Sequence, residues 1–390
     1  MMVSVVVPAL FFIFSDTLII HSLGIPSIFI FVAYFLIYAF FRHHKFRVSD
    51  LNGIVSVLSY IFIASCAISS VYNSTYKPLV FGLLAAAYFS FSFNLLPVAS
   101  ISLVRVMSMV IMFLLLGGVV ADLAYLFSMQ PIFSTTTLQF FPFSMLYIDS
   151  GVPRMSGFFL EPGQFSFYIC ATVACRELLD FPRGQSIAFA IIGMLTMSLA
   201  HLVFLIIYCV HLLCESSVTK YSRFYLLIGL SFVGLGLASG ALDWMYERSI
   251  HILSAPETWQ RFVSFTYTLN LLDGGFQDFL FGPERHLSAR IYLEHELLSV
   301  ESGPTGHIYG ENPLTPIIYG GLLASWPYFL IILFAIQQTI YRRRYSLVLL
   351  GIALLALQRP YILEFPYTFI YGLVLSLYLL KSNQSKYKVR

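Results

Sequence analysis

Three short stretches of the chain carry residue types that do chemistry. RMSGFFLEPGQ, residues 154–164, sets Arg154 and Glu161 seven positions apart, with Ser-Gly and Pro-Gly pairs between and after them, in an otherwise apolar neighbourhood. RFVSFTYTLNLL begins at Arg261 and has the apolar spacing of an amphipathic helix lying on a membrane, with the arginine in its first turn. GHIYGENPLTPIIYGG, residues 306–321, places His307 four residues before Glu311 among Gly and Pro. A guanidinium suits bidentate contacts with phosphate, and a Glu or His at an interface can act as general base. The chemistry on offer is anion binding joined to proton abstraction. The simpler readings are an interfacial Arg154–Glu161 salt bridge, an ion pair of Arg261 with Glu257 at i−4, and ordinary polar loop residues at His307 and Glu311.

Other combinations carry less. In YLEHELLSVE (292–301), Glu294 and Glu296 would point to different faces of a helix, and HExxH spacing is absent, so the stretch reads as a solvated helix face rather than a metal cluster. His201 lies within a long apolar run. An ionisable group inside a membrane suggests function by default, yet a lone His at a helix break also serves as a structural hydrogen-bonding group. Cys66, Cys170, Cys175, Cys209 and Cys214 all fall in or beside apolar segments and read as small buried hydrophobes, not as a disulfide framework.

The elements that must position these residues follow from composition. Apolar residues make up 58% of the 390, charged residues only 11%, and the mean hydropathy is +0.82. A soluble domain carries about a quarter charged residues. So much apolar surface cannot be hidden from water in one core, and the bilayer is the expected solvent. The expected fold class is all-α: a single integral membrane domain, 1–390, of about twelve transmembrane helices. Apolar runs place them at 3–20, 26–41, 51–71, 78–97, 101–128, 157–175, 186–199, 201–214, 224–241, 313–336, 345–358 and 360–380. The first is read as a retained span, since it has neither a basic flank nor a small-residue cleavage site.

Residues 186–214 are too long for one straight span and too short for two full ones, so two short helices are expected to meet near His201. Sidedness supports that break. With cytoplasmic termini, fifteen of the 22 Lys and Arg residues fall inside, including Arg342–Arg344 and the basic tail; a single span at 186–214 would put those two groups outside. Two segments then face the other side: 129–156, leading into span six, and a large, partly helical loop at 242–312 between spans nine and ten. The large loop holds ten acids against Arg248, Arg261, Arg285 and Arg290, a balance of about −6. It has no general basic patch to attract nucleic acid, and any anion it binds must be held by specific arginines.

On these residues the chain resembles the O-antigen polymerase (Wzy) family, within the O-antigen polymerase and ligase superfamily of bacterial surface-polysaccharide enzymes. Its R-x-S-G-x-x-x-E-P-G pattern is carried by Arg154, Ser156, Gly157, Glu161, Pro162 and Gly163. Arg261 followed some twenty residues later by FLFGPE (279–284) is similar to the family's Arg-containing loop, and ENPLTPIIYGG (311–321) to the segment that closes it. The resemblance implies glycosyl transfer at the periplasmic face of the bacterial inner membrane, by a multi-pass protein with cytoplasmic termini. A growing glycan on undecaprenyl pyrophosphate would be the donor and a single lipid-linked repeat unit the acceptor. No nucleotide, metal or other cofactor is implied. The expected partners are these lipid-linked glycans, membrane lipid and a chain-length regulator.

The resemblance also implies roles. Arg154 and Arg261 would stabilise the departing pyrophosphate, with Arg248, Arg285 and Arg290 in reserve. Where the family commonly has His before Asn, this chain has Glu311, with His307 upstream; the base is ranked Glu311, then Glu161, then His307. The lipid would enter laterally near the short helix pair at His201. Two alternatives share part of the pattern: a ligase that moves finished polymer to lipid A core, and a flippase for lipid-linked oligosaccharide.

Overall fold

Helices form along the apolar runs and stop where Pro, Gly or clustered polar residues interrupt them. The computed structural model describes residues 50–73, 77–93, 97–135, 138–149, 152–159, 161–214, 275–282, 313–318, 320–358 and 365–388. The spans expected at 3–20, 26–41 and 224–241, and most of the 242–312 loop, lie outside them.

The described part is mostly helical. Helices α1 (Asp50–Asn73), α2 (Lys77–Phe93) and α3 (Pro97–Leu126) come first. Strands β1 (Phe133–Ser134), β2 (Leu138–Phe141), β3 (Ser144–Asp149) and β4 (Val152–Gly157) follow. Then come α4 (Pro162–Leu178), α5 (Arg183–Ile192), a 3-10 turn (Gly193–Thr196) and α6 (Leu199–Cys214). Further along the chain stand the short α7 (Phe276–Phe281) and α8 (Thr315–Ile318), then α9 (Gly321–Ile340), α10 (Ser346–Gln358) and α11 (Phe365–Lys388). Two helical segments, Ala99–Leu126 and Gly321–Ile340, are long and apolar enough to cross a membrane. Val57–Tyr72, Leu199–Cys214, Ser346–Leu357 and Tyr367–Ser382 are apolar but shorter.

The all-α expectation needs correction. Residues 133–157 form a four-stranded antiparallel meander in the order β1-β2-β3-β4. LQFF and SMLYID are rich in aromatic and branched residues, and Phe141 pairs with Ser144 across a two-residue turn, Pro142-Phe143. A bulge at Met145/Leu146 breaks the β3–β4 ladder, and the Ser156 hydroxyl donates to the Met145 carbonyl at 3.0 Å. Because β4 runs to Gly157, the helix expected from 157 starts only at Pro162. Similarly α9 starts at Gly321, not 313, since Pro313 and Pro316 confine Thr315–Ile318 to a separate single turn.

Helix α4 is the axis of the main core, buried on nearly every side by α3, α5, α6, α10, α11 and β4. Ser166, Cys170, Ala171, Ala174 and Cys175 let neighbouring backbones close in, while Phe165, Phe167 and Tyr168 fill the gaps. A smaller cluster around Phe62, Cys66, Ala85, Ala86 and Ala324 joins α1, α2 and α9. Three of the cysteines are thus buried core residues as read from sequence; Cys209 is half-buried and Cys214 exposed.

The expected break before His201 is present, and hydrogen bonds show its shape. Near the C-terminal end of α4, Glu177 accepts the Tyr208 hydroxyl of α6 at 2.6 Å and pairs with Arg183, the first residue of α5, at 3.4 Å. Near the other end, His201 of α6 reaches both Ala190 of α5 and Ser166 of α4. Helices α5 and α6 therefore run antiparallel beside α4, as a hairpin whose 3-10 head meets β4. Arg176, read from sequence as a loop charge, is buried: its guanidinium donates to Ser186 Oγ (3.0 Å), Ser108 Oγ (2.9 Å) and the Pro182 carbonyl (3.2 Å), between the Phe181 and Phe189 rings. Every one of those bonds offsets the desolvation of a buried cation.

Asp180, in the α4–α5 turn, ties this foot to α10 and α11 through the Tyr345 hydroxyl (2.9 Å) and the Lys381 ammonium. Burial alone would raise its carboxyl, but Lys381 and Tyr345 hold it below its ordinary value. A depressed carboxylate adds stability above its unfolded-state pKa, and that stability is lost as pH falls through the folded one. The thermal midpoint in detergent should therefore drop below about pH 4, where an unperturbed Asp titrates. Asp180→Asn should remove that component of the drop. Because the carboxylate is 59% exposed, the effect is small.

Candidate functional site

Most of the RMSGFFLEPGQ motif is explained by architecture. Ser156 pins the bulge, and Gly157, at φ +65, turns the chain from β4 towards α4. Phe159 then stacks on Phe165 (5.6 Å) and Tyr168 (5.0 Å). Glu161 is the N-cap of α4, with extended backbone (φ −134, ψ 139), and Pro162 takes the first helical position, which needs no N–H donor. The Glu161 carbonyl accepts the N–H groups of Gln164 (3.1 Å) and Phe165 (3.4 Å), while its half-buried carboxylate makes no capping bond.

Arg154 has a different kind of setting. It lies on β4 opposite Tyr147, with its guanidinium carbon 5.9 Å from that ring's centroid. Nε donates to the Thr196 carbonyl and Nη2 to the Met197 carbonyl, both at 3.3 Å. These acceptors belong to the head of the α5–α6 hairpin, where Met197 is left-handed at φ +46 and the Thr196 hydroxyl closes the turn onto the Gly193 carbonyl at 2.8 Å. The half-buried guanidinium is thus oriented by two backbone dipoles as well as by its own strand.

His201 holds that head in place. Its Nε2 lies 2.7 Å from the Ala190 carbonyl, which can only accept, so Nε2 carries the proton. Nδ1 is then the acceptor for Ser166 Oγ (3.2 Å) and lies 3.4 Å from Cys170 Sγ. With every ring nitrogen partnered and the ring buried, His201 is the structural alternative of the two its sequence position offered. His201→Ala should destabilise the protein by about 2–4 kcal/mol, from the cavity and the orphaned Ala190 and Ser166 groups. The thermal midpoint of the purified variant measures this.

The second and third motifs meet directly. Gly282 of FLFG and Gly321 of YGG both have left-handed backbone, at φ +88 and +68. A Cβ on Gly321 would stand 2.2 Å from the Leu280 carbonyl oxygen and 2.5 Å from the Gly282 nitrogen, so only glycine fits. From α1, Ser69 Oγ lies 3.0 Å from the Phe281 carbonyl and 2.9 Å from that of Gly320, bridging the two segments. Tyr72 stacks on Phe281 at 4.1 Å and donates to Gln277 Oε1 at 3.0 Å.

No family model, curated protein or solved structure matches the chain. The likeness drawn from the three motifs therefore stands on those residues themselves. Of the proposed site residues, Arg154 and Glu161 are described; Arg248, Arg261, Arg285, Arg290, His307 and Glu311 lie outside the described residues. Among the described residues, no three His, Cys, Asp or Glu side chains gather as a metal site requires.

The His201 ring, beside which lipid was expected to enter, is fully buried. An apolar cavity of about 550 Å³ opens elsewhere, between α1, α2, α9 and α11, lined by Phe62, Phe89, Trp326, Pro327 and Phe334, among others, with Gln337 as a polar member. Sequence reasoning missed this cavity, the buried Arg176–Glu177 foot and the carbonyl partners of Arg154.

Proposed function

We propose that the protein is a multi-pass inner-membrane glycosyltransferase that polymerises undecaprenyl-pyrophosphate-linked repeat units at the periplasmic face, with about twelve spans and cytoplasmic termini. The observation that carries the reading is the direct seating of FLFG on the Gly320–Gly321 start of α9. Two motifs some forty residues apart in sequence converge, as a single site built from the large loop requires. The setting of Arg154 agrees with it: a half-buried guanidinium oriented by two carbonyls can stabilise developing charge on a leaving pyrophosphate. The acceptor sugar's hydroxyl attacks the anomeric carbon, its proton passes to Glu311, Glu161 or His307, and lipid pyrophosphate departs. The cavity between α1, α2, α9 and α11 offers apolar space for the carrier's chain.

Deletion of the gene separates this reading from its neighbours. Loss of the polymerase leaves lipopolysaccharide capped with single repeat units. Uncapped core with stranded, carrier-linked polymer would instead indicate a ligase. Glu311→Gln, Glu161→Gln and His307→Ala together identify the base: the substitution at the base should lower chain growth about 100-fold or more, and the others should not.

A further inference from the structure

The sheet does not sit above α3 but runs down its side. Phe141 and Leu146 pack with Ala121 and Ala124, while Phe143, at the β2–β3 tip, meets Phe113 edge-on with ring centroids 6.1 Å apart. A Cβ on Gly117 would come within 2.4 Å of the Phe143 carbonyl oxygen, so the turn's backbone lies directly on the helix. At about 1.5 Å per residue, Gly117 and Phe113 lie roughly 14–20 Å below the C-terminal end of α3. That depth is within the segment Ala99–Leu126, which is apolar and long enough to cross a membrane.

Three features of the tip fit hydrocarbon rather than water. Phe143 is 59% exposed and Phe113 51%, and their outer faces continue the exposed apolar strip of Met109, Met112, Leu116 and Val120 on α3. Phe143 also has φ +72 after Pro142, a second central turn position that Gly ordinarily takes. A bulky aromatic residue there is strained for the sake of its side chain. Some of the backbone polar groups are also covered locally: Pro142 has no N–H, the Phe143 carbonyl is turned onto Gly117, and the Met145 carbonyl left by the bulge accepts Ser156. Irregular backbone is tolerated at membrane depth only when so protected.

We infer that the β2–β3 tip is a wedge inserted into the bilayer alongside α3, with lipid acyl chains as its partner. The inference rests on the reading of the chain as an integral membrane protein, and it concerns a surface apart from Arg154 and Glu161. Its continuity with the outer face of α3 is what assigns acyl chains to it.

The test uses the full chain with Trp244, Trp259 and Trp326 replaced by Phe and Phe143→Trp as sole reporter, in phosphatidylcholine vesicles with brominated acyl chains. Most of the emission should be quenched by the brominated lipid and little by iodide. Quenching by iodide alone would place the tip in water, and quenching by neither would place it against protein, such as a second copy; either overturns the inference. A second comparison guards against a reporter that fails to fold. Gly and Asp both tolerate positive φ better than Phe. Phe143→Gly should reach normal membrane levels, whereas Phe143→Asp should fall several-fold because it carries a charge into hydrocarbon. Equal levels of the two would overturn the inference. Neither readout needs substrate. A tip quenched by lipid while the unsubstituted protein grows no polymer counts against the polymerase reading alone, and polymer growth with the tip in water counts against this one alone.

Discussion

Arg154→Ala should reduce polymer formation by about 100-fold or more while the protein reaches the membrane at normal levels. Removing one preorganised donor to a developing oxyanion typically costs two to three orders of magnitude. The structural cost is smaller. Arg154 contributes two 3.3 Å bonds to the Thr196 and Met197 carbonyls, and their loss should lower stability by about 1–2 kcal/mol. Arg154→Lys separates geometry from charge. Lysine keeps the cation but cannot address two backbone carbonyls and an anion at once through a planar fork, so activity should stay at least about tenfold below that of the natural protein. Polymer at normal length and amount from Arg154→Ala would remove the arginine from any leaving-group role.

The second large effect is expected at Gly321. Its φ of +68 disfavours any side chain, and a Cβ would strike the Leu280 carbonyl at 2.2 Å, which is backbone and cannot swing aside. Gly321→Ala should therefore destabilise the protein by roughly 3 kcal/mol or more, from the strained dihedral and the clash together. Ser69→Ala is the graded companion, since it removes one hydroxyl shared between the Phe281 and Gly320 carbonyls and should cost about 1 kcal/mol. Both are read as thermal midpoints in detergent. Polymer formation should follow the same order, because both changes separate the FLFG segment from the start of α9. An unchanged midpoint for Gly321→Ala would show that the two segments do not touch.

Sequence alone located the longer described helices because apolar runs and Pro or Gly breaks are strong signals; the short α7 was not expected. The break before His201 was legible for that reason, whereas the start expected at 157 lay five residues before the one at Pro162. The sheet was not. Strands are recognised by alternation of apolar and polar residues, and LQFFPFSMLYID is apolar on both faces because one lies on α3 and the tip faces outward. Arg176 and Glu177 lie just past the run expected as span six, and their burial was not legible because their partners, Ser108, Ser186 and Tyr208, come from three other helices. The acceptors of Arg154 were invisible in principle. They are backbone carbonyls, and a carbonyl carries no residue-type signature. Gly321 could be seen as a glycine but not as one pressed on Leu280, since the two lie about forty residues apart in sequence.

The central claim is that this protein alone joins lipid-linked repeat units. Its most direct test is to reconstitute the purified protein in vesicles with undecaprenyl-pyrophosphate-linked repeat units, without nucleotide or added metal, and to follow glycan length. The account predicts a ladder of chains two or more repeats long, with release of one lipid pyrophosphate per linkage, and no ladder from Arg154→Ala. Substrate that crosses the bilayer but never lengthens, or that stays unchanged with properly inserted protein, would contradict it.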